Sequence, residues 1–244
     1  MTHPDAMETS HSVPPSSGHD VAQTLQVLAQ ALDPGRRIVH AGDSIYSAGD
    51  RLGSLYVLNS GVFKVVNLTA DGREQVVALK FKGDWLGLDG IAGGQHTCDA
   101  VAIDTGEVWT LRYEALLVAA QRRPELLQLL LQAMSREIAL DRDALMSVCT
   151  LSADARVAEF LRHWADALEK RGLRTDQITL RMTRAEIGNY LGMTLESVSR
   201  AMSRLARDKV IAFTEHGRRE VRIPNVAALN GFVQRSLATV AELQ

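Results

Sequence analysis

Apolar and polar positions follow three patterns along the 244-residue chain, and each pattern predicts a different kind of structure. A short amphipathic helix is predicted over residues 21–32, and short β-type runs separated by glycines follow as far as residue 112. From Pro124 to residue 149 there is no glycine, and apolar residues recur at helical spacing. After residue 152 helical and β-type patterns alternate. This order indicates an α+β chain with more than one domain.

Short strands separated by glycine are typical of a small antiparallel barrel or sandwich. The strongest turn signal is Asp71-Gly72, because glycine accepts the positive φ of a tight hairpin turn. It predicts a hairpin between the β-type runs on either side of it. Six strands are predicted in this part of the chain, over residues 37–40, 54–59, 62–68, 75–81, 100–103 and 107–112, and a further short β-type segment over 177–182.

The helix predicted over residues 124–149 carries a regular apolar seam. Pro124 suits the first helical turn, and a helix of this length extends about 39 Å, which is longer than a small barrel can cover. The spacing favours a coiled-coil contact with the same helix of a second subunit, and the alternative is an amphipathic helix lying on its own barrel. Residues alternately four and three apart form the seam: Leu127, Leu131, Met134, Ile138, Asp141, Leu145 and Val148.

Asp141 is the one polar member of this seam. A buried acid at such a position destabilises association and can make it conditional. The sequence leaves open the alternative that local drift of the helix turns Asp141 outward. On the first interpretation, Asp141→Leu or Asp141→Ala tightens the dimer.

Two short helices joined by a tight turn are predicted between residues 183 and 209. Thr183 and Glu186 have the spacing of a capping box at the start of the first helix, which stops at Gly192. Thr194 caps the second helix. This is the pattern of a helix-turn-helix. Apolar residues on the facing sides hold the two helices together: Ile187, Leu191, Val198, Met202 and Leu205.

Glu196, Ser199 and Arg200 then lie on the outward face of the second helix, near its N-terminus, where recognition helices contact base edges. Two β-type runs around a turn at 215–218 predict a basic wing beyond it. The formal net charge of the chain is −2, but residues 181–222 hold nine Lys or Arg and five Asp or Glu, a net +4, which leaves −6 elsewhere. A basic module on an acidic body suits local contact with phosphates.

Residues 182–200, MTRAEIGNYLGMTLESVSR, resemble the DNA-binding signature of the CRP/FNR family of transcription regulators, and most closely that of its fumarate–nitrate regulator branch. The E-x-x-S-R triplet of that branch matches Glu196, Ser199 and Arg200. The stretches GDRLGSLYVLNSGVFKV and LTADGREQVVALKFKGDWLG are similar to the family's β-roll. The resemblance covers nearly the whole chain after about residue 30.

The resemblance implies an α+β fold with an N-terminal cyclic-nucleotide-binding-like β-roll, a long dimerisation helix and a C-terminal winged helix-turn-helix. The expected parts are a disordered tail over residues 1–20, a β-roll sensor domain over 21–123, the dimerisation helix over 124–149, the winged helix-turn-helix over 150–228 and a helical tail over 229–244.

In this branch the triplet goes with TTGAT half-sites in an inverted repeat. Arginine bonds to O6 and N7 of guanine, and a carboxylate accepts from N4 of cytosine. The resemblance therefore implies that Arg200 and Glu196 share one G·C pair, with Ser199 on a neighbouring base. Four further residues are expected either to contact phosphates or to be solvated surface: Thr194, Ser197, Arg204 and Arg184.

The sensor half departs from the ligand sites of the family. Cyclic-AMP binders hold the ribose with Gly-Glu and the phosphate with Arg-Ser, where this chain has Gly87-Leu88 and His96-Thr97, so cyclic AMP is not expected. Oxygen sensors of the branch hold a [4Fe–4S] cluster with N-terminal cysteines. Residues 1–30 contain no cysteine, and the two in the chain cannot supply four thiolates, so no such cluster is expected. No cofactor is predicted.

Three interpretations of the sensor half stay open. The protein has no ligand, or it binds an unknown small molecule or haem with His40 or His96 as axial ligand, or Cys149 is a redox switch. The alternative for Cys149 is an inert buried thiol. His3, His11 and His19 recur every eight residues, but a flexible tail gives a metal no fixed geometry, so no metal site is predicted.

The partners implied are double-stranded DNA, a second copy of the chain and RNA polymerase. Most family members are activators, in which β-roll loops touch the polymerase; here the expected loops are 71–75 and 80–84.

No apolar run reaches about 18 residues, no signal peptide is evident and two cysteines form no disulfide framework. A cytoplasmic protein that is not bound to the membrane is therefore expected. The alternative function is a ligand-binding regulatory protein without DNA activity. No P-loop or nucleophile–base pair indicates an enzyme.

Overall fold

The structure, a computed structural model, describes residues 21–69, 72–214 and 217–241. It begins with helix α1 (Val21–Ala31), which leads into a β-roll. The roll consists of two four-stranded antiparallel sheets, in the orders β1-β8-β3-β6 and β2-β7-β4-β5. Its strands are β1 (Gly35–Val39), β2 (Ser44–Tyr46), β3 (Ser54–Ser60), β4 (Phe63–Leu68), β5 (Glu74–Lys80), β6 (Trp85–Leu86), β7 (Asp99–Ala102) and β8 (Gly106–Arg112).

All six predicted strands are present, with ends that differ by one or two residues. The prediction missed β2 and β6, which are three and two residues long and too short to show a period. It also missed two helices, α2 (Gly90–Gly93) and α3 (Tyr113–Arg122). The start of α3 has no local signal, because the side chain of its N-cap, Arg112, makes no capping hydrogen bond.

Helix α4 (Pro124–Thr150) is 27 residues long, about 40 Å, and has two apolar faces. On one face Leu126, Leu129, Leu130 and Ala133 are buried in a cluster with α1, α3 and strands of the roll. Part of the alternative interpretation is therefore correct, because the first half of the helix does lie on its own roll. Most of the predicted seam lies on the other face, where Leu127, Leu131, Ile138, Leu145 and Val148 are 45–64% exposed. Met134, another predicted seam residue, is half-buried and packs against the roll instead.

Asp141 is exposed and lies between these two faces. It lines a cavity beside the C-terminal domain together with Glu137 and Ala144, whereas Ile138 and Leu145 do not. A straight α-helix drifts by about 20° per heptad against a strict seven-residue repeat. That drift accounts for the displacement of Asp141 and Val148 towards the inner side of the helix.

The C-terminal domain combines helices with a small sheet of order β10-β11-β9. Its last helix, α8 (Val226–Ala241), contributes the buried Leu229 and Val233 to the same core as α5 (Ala153–Glu169), so α8 is part of the domain and not a separate tail. No helix within the described ranges is long and apolar enough to cross a membrane. The elements are α5 (Ala153–Glu169), β9 (Gln177–Thr179), α6 (Arg184–Leu191), α7 (Leu195–Arg207), β10 (Ala212–Thr214), β11 (Gly217–Arg222) and α8 (Val226–Ala241).

The two domains share one apolar cluster, to which β5 contributes Val76 and Leu79 and α5 contributes Phe160 and Trp164. Strand β5 is at the edge of its sheet, and a free strand edge leaves backbone groups unpaired. The Asn189 side chain of α6 occupies that edge. Its Oδ1 accepts from the Val76 N–H at 2.5 Å, and its Nδ2 donates to the Glu74 carbonyl at 2.5 Å.

Candidate nucleic-acid interface

The turn between α6 and α7 is fixed by short-range contacts. Thr183 and Glu186 form the predicted capping box, in which the Thr183 N–H donates to Glu186 at 2.9 Å and the Glu186 N–H donates to Thr183 at 3.2 Å. Gly192 ends α6 with a φ of 64°, in the left-handed region that favours glycine. A Cβ on Gly188 would lie 2.6 Å from the Met193 carbonyl, so only glycine allows this close approach.

Helices α6 and α7 pack through the predicted apolar positions. Ile187, Val198 and Leu205 are at most 1% exposed, and Leu191 and Met202 are at most 7% exposed. This packing fixes which side of α7 faces solvent. Recognition of DNA by a helix-turn-helix needs such an exposed side at the N-terminal end of its second helix.

The outward side of α7 presents the E-x-x-S-R triplet. Glu196 and Arg200 are exposed and Ser199 is half-buried. Hydrogen bonds from its own backbone N–H and from the Thr194 hydroxyl lower the pKa of Glu196 below its ordinary value, so the carboxylate is ionised at neutral pH. Arg200 donates to the Ser197 hydroxyl at 3.3 Å, which directs its guanidinium along the same face.

The four expected phosphate contacts have different environments. Thr194 is the N-cap of α7 and accepts from the Ser197 N–H at 3.2 Å, so part of its role is structural. The Arg184 guanidinium lies 5.9 Å from the centroid of the Phe213 ring in the wing. The Arg204 guanidinium lies 2.5 Å from the Asp154 carboxylate of α5. These contacts do not test the phosphate roles, which stay predictions.

A cleft of about 300 Å³ lies between α6, α7 and the wing, beside the triplet. Its lining includes Ser199, Phe213 and Arg219 together with Leu195. Leu195 is 45% exposed and Arg219 is exposed. The sequence pattern did not indicate that Leu195 and Arg219 line a cleft. The available signal for Leu195 was a leucine at the first position of the second helix, outside the apolar set of Val198, Met202 and Leu205.

The sensor region of the β-roll does not fit a cyclic nucleotide. His96, at the position of the family's phosphate-binding arginine, is buried and stacks on Tyr46 with 3.8 Å between ring centroids. The Asp89 carboxylate accepts from the Thr97 N–H at 2.7 Å and from the Cys98 thiol at 3.3 Å. Burial raises the pKa of Asp89, but these bonds outweigh it and the net pKa is lowered. An ionised carboxylate at this point repels phosphate.

The other candidate ligands and cysteines are separated in space. His40 is on an exposed loop, with its Nδ1 3.5 Å from the Thr105 hydroxyl. Cys98 is buried in the roll, and Cys149 is exposed on α4, so the interpretation of Cys149 as a buried thiol is wrong. Within the described ranges no three His, Cys, Asp or Glu side chains converge as a metal site. His3, His11 and His19 lie outside the described residues.

Two domain families match the chain: a cyclic nucleotide-binding domain over residues 36–123 and a Crp-like helix-turn-helix domain over residues 155–232. The fumarate and nitrate reduction regulatory protein of Vibrio cholerae is 34% identical over 177 residues, which are 72% of this chain and 71% of that protein. The protein of the same name from Escherichia coli K12 is 33% identical over the same shares.

A solved structure is also similar to most of the chain. The structure of FixK2 from Bradyrhizobium japonicum matches with a TM-score of 0.71 at 27% identity, over 82% of this chain and 97% of that chain. On the identity and coverage of these relatives, the chain belongs to the CRP/FNR family of transcription regulators and carries its DNA-binding helix-turn-helix.

Proposed function

We propose that this protein is a homodimeric transcriptional activator that binds an inverted repeat of TTGAT half-sites. The observation that carries the proposal is the placement of Glu196, Ser199 and Arg200 on the outward side of α7, in its first two turns. Arg200 has the donors for O6 and N7 of guanine, and Glu196 has the acceptor for N4 of cytosine. The two residues are one helical turn apart, which allows both to reach one G·C pair.

The exposed seam of α4 supports a dimer. Five apolar side chains of this seam are 45–64% exposed in one chain, and several large apolar side chains exposed along one helix mark an interaction site. A second copy pairing along α4 covers this surface and brings two recognition helices to one face. Two-fold symmetry then matches the symmetry of an inverted repeat.

Activation requires a surface that meets RNA polymerase. The expected segment 80–84 is wrong as a surface loop, because Lys80, Phe81 and Gly83 are buried and Lys82 alone is exposed. Asp71, in the other expected segment, lies outside the described residues, and Gln75 donates to the Asn189 carbonyl at 2.5 Å. Residues 72–74, which are exposed, are the part of these segments that we retain for the polymerase contact.

The test is a mobility-shift titration of the full chain with a duplex that carries the inverted TTGAT repeat. The comparison duplexes are a scrambled sequence and repeats in which the G·C pair of each half-site is changed. We expect strong preference for the repeat. Arg200→Ala should weaken binding by about 1–3 kcal/mol and relax the choice at that pair. Arg207→Ala, an exposed arginine in the last turn of the same helix, is the matched control. If the wild type prefers no sequence, the alternative of a regulatory protein without DNA activity is favoured.

Run-off transcription from a promoter with the same repeat tests activation separately. We expect added protein to raise transcript levels, and substitution of the exposed Arg73 by Glu to lower them without changing the affinity for DNA. Repression by the wild type, with intact DNA binding, would contradict the activator role alone.

A further inference from the structure

A cavity of about 120 Å³ lies where the β-roll, α4 and the C-terminal domain meet. It is lined by residues of β5, by the second half of α4, by α5 and by the end of α6. It is separate from the sensor region around Asp89 and from the cleft beside the recognition helix. A ligand in this cavity contacts both domains at once.

The charged groups around the cavity leave unpaired negative charge. The buried Lys80 is paired with Glu137, and Arg162 lies 2.5 Å from both Glu159 and Asp166. Arg156 donates to the carbonyls of Leu151 and Leu191.

Asp141 and Asp143 also line the cavity, and neither forms an ion pair with any residue in the described ranges. The lining thus carries four carboxylates, those of Glu137, Asp141, Asp143 and Glu159, against the three cations Lys80, Arg156 and Arg162, a net charge of −1. Burial lowers the pKa of His163, which also lines the cavity, so the imidazole adds no positive charge at neutral pH.

The apolar lining is aromatic. The rings of Phe160 and Tyr190 meet edge to face with centroids 6.0 Å apart, and both line the cavity. Burial raises the pKa of Tyr190, and the Asp141 and Glu137 carboxylates raise it further, so the phenol stays protonated and those carboxylates face it. Aromatic faces next to carboxylates bind organic cations.

We propose that this cavity binds a small organic cation, an amine with one aromatic or branched apolar group. The amine lies against Asp141, and the apolar group packs against Phe160, Tyr190 and Leu79. The cavity, at about 120 Å³, is smaller than the roughly 150 Å³ that holds benzene, so only the apolar group enters it. The amine stays at the open side of the cavity, where Asp141 is exposed. Occupied or empty, the cavity does not touch the E-x-x-S-R triplet, so the proposal does not depend on how DNA is read.

Binding in this cavity affects the contact between the domains. Tyr190 and Leu79 line it, and they belong to α6 and β5, the two elements that Asn189 and Val76 join. A ligand that bridges β5 and α6 therefore stabilises the arrangement in which the two domains are held together. Its binding free energy favours this arrangement over any other in which the cavity is open.

The test is isothermal titration calorimetry of the full chain with 2-phenylethylamine. Two probes of similar shape are matched controls: 2-phenylethanol, which is neutral, and 3-phenylpropionate, which is an anion. We expect the amine to bind, the alcohol to bind about ten-fold more weakly because it lacks the charge-assisted bond, and the anion not to bind.

Two variants test whether the ligand binds in this cavity. Ala144→Phe fills the cavity from α4, and we expect it to abolish binding. Asp141→Asn keeps the shape and removes a charge, and we expect binding of the amine to fall about ten-fold while that of the alcohol does not change. Asp208→Asn, at an exposed acid beyond α7, is the control. Hydrogen exchange of β5 and α6 should slow when the amine is bound.

No heat of binding with millimolar amine, equal affinity for amine and alcohol, or binding that survives Ala144→Phe would each overturn the proposal. Circular dichroism of the two variants verifies that they are folded. These outcomes do not involve DNA, so they leave the proposed function to its own test.

Discussion

The Lys64 ammonium of β4 lies 2.9 Å from the Glu186 carboxylate of α6, and this ion pair joins the β-roll to the helix-turn-helix. The same carboxylate accepts from the Thr183 N–H and hydroxyl at 2.9 and 3.0 Å. Burial raises the pKa of Glu186, but the bonds from Thr183 and Lys64 outweigh it and hold the pKa below its usual 4.5. One side chain therefore both caps α6 and fixes its position against the roll.

The Glu186 carboxylate makes the stability of the protein depend on pH. Since its pKa is lower in the folded than in the unfolded state, its contribution is complete above about pH 4.5 and is lost as the pH falls through the folded-state pKa. Glu186→Gln should lower the free energy of unfolding at pH 7 by about 1–2 kcal/mol and reduce its dependence on pH in the acid range. Urea titrations between pH 3 and 7 measure both.

Glu74→Gln is the matched control for that experiment. Glu74 also faces Lys64, but at 3.8 Å and with its side chain 63% exposed. An exposed ion pair of this kind contributes at most about 1 kcal/mol. Equal losses from the two variants would contradict the role given to Glu186.

Asn189 is expected to hold the edge of β5 against α6. Asn189→Ala removes the partner of the Val76 N–H and of the Glu74 carbonyl. The free energy that holds the two domains together should fall by about 1–3 kcal/mol, because both backbone groups lose a hydrogen bond. Amide exchange followed by NMR measures it directly. The Val76 amide should exchange faster in the variant, while amides between β4 and β7 keep their protection. Unchanged exchange at Val76 would show that water replaces the asparagine at no cost.

The sequence predicted features that depend on neighbours along the chain. Thr183 and Glu186 are three residues apart, so their capping box could be predicted from their spacing, as could the end of α6 at Gly192. Alternation and glycines located six strands. The triplet Glu196, Ser199 and Arg200 was predicted from the helical spacing of the apolar positions and from the resemblance to the family's DNA-binding signature.

Features that depend on distant residues were missed. The partner of Asn189 is Val76, 113 residues earlier, and the partner of Arg204 is Asp154, 50 residues earlier. Neither pairing leaves a pattern in one sequence. For the same reason segment 80–84 looked like a surface loop, although Phe81 packs against the C-terminal domain and the buried Lys80 pairs with Glu137 of α4.

Because Arg204 pairs with Asp154, a loss of DNA affinity in Arg204→Ala has two explanations: a lost phosphate contact, or a lost ion pair within the protein. If Arg204 contacts a phosphate, the variant should bind all sequences more weakly, and the slope of log K against log salt should fall by about 1. Asp154→Ala breaks the same ion pair but leaves the arginine, so it should lower stability by about 0.2–1 kcal/mol and keep the salt slope. Equal salt slopes for both variants and the wild type would remove Arg204 from the phosphate contacts.

The seam of α4 is tested by sedimentation equilibrium. Ile138→Glu places a charge on the proposed dimer contact and should weaken association by more than about 2 kcal/mol, because a charge buried at an apolar interface has no partner. Leu173→Glu is the matched control, since Leu173 is 56% exposed and Ile138 is 51% exposed. Equal effects of the two charges would contradict pairing along α4.

Asp141→Leu tests whether the acid opposes association. Asp141 is exposed and displaced from the line of Ile138 and Leu145 towards the inner cavity. If it still faces the partner helix, the leucine should tighten the dimer by roughly 1 kcal/mol. Equal or weaker association in the variant would show that drift of the helix has removed Asp141 from the seam.

The two thiols should differ sharply in reactivity. Burial, foremost, and the neighbouring Asp89 carboxylate raise the pKa of Cys98 to about 12, so it holds almost no thiolate at pH 8. Cys149 is exposed on α4. Iodoacetamide at pH 8 should therefore alkylate Cys149 in the folded protein and Cys98 only after unfolding, as peptide mass spectrometry will show.

If Cys149 is also a redox switch, mild peroxide should change DNA affinity in the wild type and not in Cys149→Ser. An identical response of the variant would leave Cys149 accessible but without that role.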